Sequence, residues 1–455
     1  MNKVTNIPLF TAGCLVLLLS SARLFYALPH PDELSFHYAY SQFVYNGMSA
    51  FEPNDPVFHR PWGPVFTMMM DGITTFVPEG RVPFTWRLLI LSAYAITIYF
   101  ILRLLSEFQS LFRQTTTHLW GFVFIFLALQ STAAIYTISS GGGDALVALS
   151  IVGHYYYFCR KNYLLAAIFV VCGIYFKLHP LVFAFPYLIF SLFSKRHRQY
   201  ALYLALVGAT ISLISLPVQG WKDGLLYPFS MLVSIATQPA GNAGVPIWSK
   251  EVFALIVFVN KTINGFQVAP PDTAMTHLVH NIARIFTILF IAANAFAGWK
   301  LSRLEHQWQQ DDRLRFLHLF IFQVIVGFIF LTFSLDLSIE FLLLGVVSLF
   351  SPLFLLSAHV HKLSDVNLFH IKCMIGFLIG LCFVGGLFPL GILNRILPLN
   401  WIHLTVGSRL DNLSLYEKYI WYHVPMFGIY ILAFVSYYST RALLVVSEAG
   451  SPKCR

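Results

Sequence analysis

The chain has 455 residues, of which 57% are hydrophobic, 16% aromatic and 11% charged, and its 29 Lys and Arg against 20 Asp and Glu leave a formal net charge of +9. A typical soluble domain carries about 25% charged residues, so this composition, with a mean hydropathy of +0.70, excludes an ordinary soluble enzyme, a disordered chain and a nucleic-acid binder. Apolar residues grouped in long runs specify instead an all-α polytopic membrane protein.

Apolar segments of bilayer length are expected near 8–28, 87–105, 118–138, 145–159, 163–178, 180–194, 200–217, 280–299, 316–335, 340–358, 371–389 and 421–441, about twelve in all. The first run, Pro8 to Leu28, reads as a retained signal anchor, because Leu28-Pro29-His30 is a poor cleavage site. The stretch from Trp62 to Met70 reads as a helix lying at the interface, and 252–264 as a segment dipping into the membrane. The whole chain, 1–455, reads as one integral membrane domain with long outer loops at 29–86, 218–279 and 391–420.

Charge sets the orientation. Lys3, Arg103, Arg113, Arg160, Lys161, Lys195, Arg196, Arg198, Lys300, Arg303, Arg313 and Arg315 fall on one side if the N-terminus is cytoplasmic. The C-terminus then falls on the cytoplasmic side too. Most of the acids, from Asp32 and Glu33 to Asp411 and Glu417, fall on the other side. The expected location is a multi-pass inner membrane of a bacterium, with the working face toward the periplasm. Cys14, Cys159, Cys172, Cys373, Cys382 and Cys454 show no paired metal-ligand spacing and read mostly as small core residues. The triglycine Gly141 to Gly143 lacks the frame of a phosphate loop.

Several polar residues stand out against this background. Asp32 and Glu33 follow the first span directly, where a carboxylate could serve as general base or metal ligand, or simply as a solvated cap. In His59-Arg60-Pro61-Trp62-Gly63-Pro64, Arg60 suits phosphate oxygens, and Trp62 could stack on a sugar or anchor at the interface. Asp144, after Ser139-Ser140-Gly141-Gly142-Gly143, would cap the next helix or help line a ligand site. Lys177, in Lys177-Leu178-His179-Pro180, needs an anionic partner or a route to the interface, and His179 could assist it. Asp336 and Glu340 would share a helix face and could hold a divalent cation or neutralise an Arg. His403, Arg409 and Asp411 enrich the last outer loop.

These motifs resemble the GT-C superfamily of polytopic glycosyltransferases, most of all the polyprenyl-phosphate-mannose-dependent mannosyltransferase group. The likeness covers about the first 200 residues: the acids Asp32 and Glu33, the variant Arg-aromatic-Pro segment at His59 to Pro64, and the stretch from Gly141 through Lys177 to Pro180. It departs from the family at Gly63, where a proline is usual, and at Asp144, where an amide is commoner. The resemblance implies an inverting transfer of a sugar from a polyprenyl phosphate to an acceptor hydroxyl. Asp32 or Glu33 would be the base. Arg60, Lys177 and Arg409 would contact the donor phosphate, and His59, Trp62, Asp144, His179, Asp336 and His403 the substrate. The expected partners are the lipid-linked sugar, a glycan or glycolipid acceptor and the bilayer, with no nucleic acid. No cofactor is required, although a divalent cation could sit near Asp32 and Asp336. The alternatives are a lipid-linked saccharide transporter or flippase, a polysaccharide polymerase or ligase, and a structural membrane subunit.

Overall fold

Four of the expected apolar segments, at 145–159, 163–178, 180–194 and 200–217, fold as consecutive helices in the computed structural model, which describes residues 63–111, 143–230, 274–305, 312–333, 436–441 and 444. The first helix, α1 (Pro64–Phe76), starts with proline at its first turn behind Gly63. That position suits proline because its missing N–H would have no helical partner there. A short 3₁₀ turn, Glu79–Arg81, leads into α2 (Val82–Leu111). Then come α3 (Asp144–Cys159), α4 (Tyr163–Phe176), α5 (Pro180–Phe193) and α6 (Arg198–Gly220). A single π-helical turn, Trp221–Leu225, closes α6. Two longer helices, α7 (Ala274–Leu304) and α8 (Arg313–Phe333), complete the set of long elements among the described residues.

Short connections make consecutive helices antiparallel neighbours. Arg160, Lys161 and Asn162 join α3 to α4, and the Asn162 side chain caps α4 by accepting the Leu165 N–H at 3.3 Å. Helix α3 is the centre. Thirteen of its sixteen residues are buried, and it packs against α2, α4, α5 and α8. Phe158 is enclosed by Tyr187, Tyr200 and Phe316, with ring centroids 4.7–5.0 Å away. Tyr155 stacks on Phe320 at 4.6 Å. Each such ring removes about 1.5–3 kcal/mol worth of apolar surface from water. Tyr200 and Ser215 of α6 are buried, whereas Leu202, Leu206 and Leu213 face outward.

This arrangement corrects the expected fold class. Hydropathy places about twelve bilayer-length helices, of which those at 8–28, 118–138, 340–358 and 371–389 and most of 421–441 lie outside the described residues; the described residues hold two that are long and apolar enough to cross a membrane, Phe84–Leu104 within α2 and Arg198–Gly220. Helix α3 has 16 residues, and α4 and α5 have 14 each. At 1.5 Å per residue they reach roughly 21–24 Å, short of a hydrocarbon core about 30 Å thick. A helix that is apolar all round needs apolar neighbours, and hydropathy is silent on whether those are lipid or protein. For α3 they are protein. The expected interfacial helix at Trp62 to Met70 is corrected the same way. Phe66 of α1 lies edge-on to Trp86 and Phe176, at 5.9 and 5.6 Å, so its apolar face packs on α2 and α4. The twelve-span GT-C-like architecture and the multi-pass inner-membrane location are therefore replaced by a densely packed helical bundle.

Bases assigned above to inner loops meet acids at one end of this bundle. Glu107 pairs with both Arg160 and Arg313, and the Arg160 guanidinium also lies 4.3 Å from the centroid of the Tyr156 ring. Asp312, 4% exposed, is approached by Arg196 at 3.3 Å and Lys161 at 3.4 Å.

Candidate functional site

The opposite end of the bundle gathers three segments that are far apart in sequence. Because α3 and α4 are antiparallel, the first residue of α3, Asp144, and the residue after α4, Lys177, arrive side by side. Lys177 Nζ lies 3.0 Å from Asp144 Oδ1, with the side chains 21% and 7% exposed. The backbone reinforces both charges. Asp144 stands in the first turn of α3, where the helix dipole favours an anion, and Lys177 at the last carbonyls of α4, where it favours a cation. Gly143, not Asp144, occupies the cap position, and no side chain caps α3.

Gly63 closes on the same end. Its N–H donates to the Phe176 carbonyl at 2.9 Å. A Cβ there would stand 2.0 Å from the Tyr175 carbonyl oxygen and 2.8 Å from the Tyr227 ring, so only glycine allows this approach. Helix α6 adds a polar face. Tyr175 shares a hydrogen bond with Ser212 and donates to the Leu225 carbonyl at 3.4 Å. Gln219, seven residues beyond Ser212, donates to Thr67 of α1 at 2.8 Å. Gly220, at φ +73°, then turns the chain into the π-helical turn, a left-handed conformation that favours glycine. Burial pushes the Tyr227 phenol well above its ordinary value, and the Lys177 charge offsets part of that rise.

Chemically, this end holds an ammonium against a carboxylate, with the Tyr175–Ser212 and Gln219–Thr67 hydrogen bonds at the same end of the bundle. An ammonium is a compact donor of three hydrogen bonds, and a phosphate oxygen can take the place of the carboxylate oxygen. Asp144 and Lys177 are thus brought together, and the anion that Lys177 needs is supplied from within the chain. His179 sits in the turn between α4 and α5, and its carbonyl accepts the Val182 N–H at 3.1 Å. Asp32, Glu33, His59, Arg60, Trp62, Asp336, His403 and Arg409 lie outside the described residues. Thr67, Tyr175, Ser212, Gln219 and Tyr227 are absent from the expected site. The spacing of Ser212 and Gln219 on one helix face was the available signal for two of them. Among the described residues no group of three or more His, Cys, Asp or Glu could hold a metal ion.

No protein-family model, curated protein or solved structure matches the chain. The likeness to the GT-C superfamily therefore stands without a match. The bundle, whose described residues hold two helices of membrane length where that likeness calls for about twelve, overturns it. Membrane transfer of a sugar from a polyprenyl phosphate, and the transporter and polymerase alternatives that rest on the same polytopic frame, fall with it.

Proposed function

We propose that this protein binds a phosphate-bearing ligand at the end of the bundle where Gly63, Asp144 and Lys177 meet. The supporting observation is the Lys177–Asp144 pair, a mostly buried ammonium held 3.0 Å from a carboxylate oxygen. A phosphate oxygen would take up the Lys177 hydrogen bond at a similar distance. Asp144 keeps the cation compensated until the ligand arrives and then competes with it. Gln219 and Thr67, already bonded to one another, stand at the same end as neutral hydrogen-bonding groups for the remainder of the ligand.

Calorimetric titration of the full chain with phenyl phosphate tests this reading. Asp144→Asn removes the competitor and is expected to tighten binding roughly tenfold, equivalent to about 1.4 kcal/mol. The charge-neutral double variant Lys177→Met/Asp144→Asn is expected to lose binding while keeping its helical circular dichroism. Unchanged affinity in that double variant would sink the proposal.

A further inference from the structure

At the far end of the bundle, His197 is completely buried at the N-terminus of α6. Its Nδ1 is 2.6 Å from the Tyr163 hydroxyl. The ring is stacked on Phe158 and flanked by Phe190 and Phe316. Its Nε2 lies 3.7 Å from both Glu305 Oε1 and Asp312 Oδ2. That is too long for a direct hydrogen bond, and neither His197 Nε2 nor Asp312 Oδ2 makes one. The same Asp312 oxygen is held by Arg196 and Lys161. The groups facing this point are therefore Lys161 from the α3–α4 turn, Tyr163 from α4, Arg196 from the α5–α6 turn, Glu305 from the end of α7 and Asp312 from the start of α8. Phe190 and Ser194, from the end of α5, are uncharged, and Tyr200 of α6 donates its N–H to the His197 carbonyl at 3.0 Å.

With His197 neutral, two acids balance two bases. A proton on His197 puts a third cation beside two carboxylates in a place closed to water. Arg196 and Lys161 are 58% and 44% exposed and already reach solvent, whereas His197 reaches it only if the 194–198 turn moves. We infer that this knot is an acid-operated latch: acid favours a state in which the 194–198 turn, carrying Arg196 and His197, parts from Glu305 and Asp312 at the α7–α8 end and brings the imidazole to water, where it can hold its proton. Burial, with the Lys161 and Arg196 charges, lowers the His197 pKa to about 4 while the latch is closed. Once open, the imidazole returns toward its ordinary value near 6.5. Opening therefore becomes more favourable as pH falls from about 6.5 toward 4, by close to tenfold per pH unit.

Hydrogen exchange of the full chain, corrected for intrinsic rates, reads this directly. Between pH 7 and pH 5 the protection of amides 194–200 is expected to drop about 20-fold, with the turn at 177–179 unaffected. His197→Gln, which keeps a partner for Tyr163 but cannot take a proton, should show no such drop. Should that variant misfold, an NMR titration of His197 in the unaltered chain decides instead, and a midpoint near 6.5 with no change at Arg196 overturns the latch. An equal loss of protection in His197→Gln also overturns it.

Discussion

Lys177 Nζ and Asp144 Oδ1 lie 3.0 Å apart, and the two residues tie the end of α4 to the start of α3. Removing one partner from a mostly buried pair leaves the other charge uncompensated, at a cost of about 3–5 kcal/mol, whereas replacing both by apolar groups is close to neutral. Some solvent reaches Lys177, so the lower end of that range is expected for Lys177→Met. Lys177→Met/Asp144→Leu should recover most of the loss. Urea unfolding of the two singles and the double provides the cycle. Additive losses would show that the pair is not coupled.

Gly63 marks the closest backbone approach in the site. Gly63→Ala places a methyl group against the Tyr175 carbonyl and the Tyr227 ring, and either α1 or the segment at Tyr227 must shift. The expected loss is about 1–3 kcal/mol in denaturant stability. If the site lies here, phenyl phosphate affinity falls in parallel. Unaltered stability would mean that the approach is looser than described.

Helix α5 carries Pro186, which has no N–H to offer the Val182 carbonyl one turn back. Gln323 of α8 makes good that loss, donating from Nε2 to the Phe183 carbonyl at 3.1 Å and the Val182 carbonyl at 3.4 Å. Helix α7 presses on the same point, because a Cβ on Gly298 would stand 2.3 Å from the Pro186 oxygen. Gln323→Leu should therefore cost about 1–3 kcal/mol, the penalty for leaving buried carbonyls unpaired. Adding Pro186→Ala, which restores the backbone donor, should return part of it. Thermal unfolding of the three variants measures this.

Two further histidines, buried His154 and partly buried His318, predict acid sensitivity of the whole fold. Burial lowers His154 to about 3. His318 is lowered to about 4 by burial first and then by the charges of Arg441 and Arg315. Both values lie below the ordinary 6.5, so the unfolded chain binds more protons in that window. Stability is full above about pH 6.5 and is lost as pH falls toward 4, at up to about 1.4 kcal/mol per pH unit for each histidine. Urea midpoints at pH 7.5, 5.5 and 4.5 should decline accordingly. His318→Asn, which can keep a hydrogen bond to Thr440, should lessen the slope by one proton. A flat profile would show that these imidazoles are not held neutral.

The helices α3 to α6 were legible as apolar runs, and their ends as short polar turns, because a backbone in apolar surroundings must satisfy its own hydrogen bonds. Asp144 and Lys177 were legible as candidates because charges are few in such runs. Their pairing follows only from the antiparallel course of α3 and α4. Gln219, Thr67 and Tyr227 drew no notice because hydroxyls and amides become informative only when a neighbour is known. His197 lies within the basic run Lys195 to Arg198, and its acids, Glu305 and Asp312, come more than 100 residues later, so the sequence alone does not join them.

Composition and local pattern by themselves determined that the chain is helical, where several helices begin and end, and which few charges stand among apolar residues. The tertiary structure decided what those helices press against. Hydropathy records how strongly a residue avoids water and not which apolar partner it finds. The same runs that suggested a dozen membrane spans resolve, at α3, into Phe158 and Tyr155 packed between protein rings.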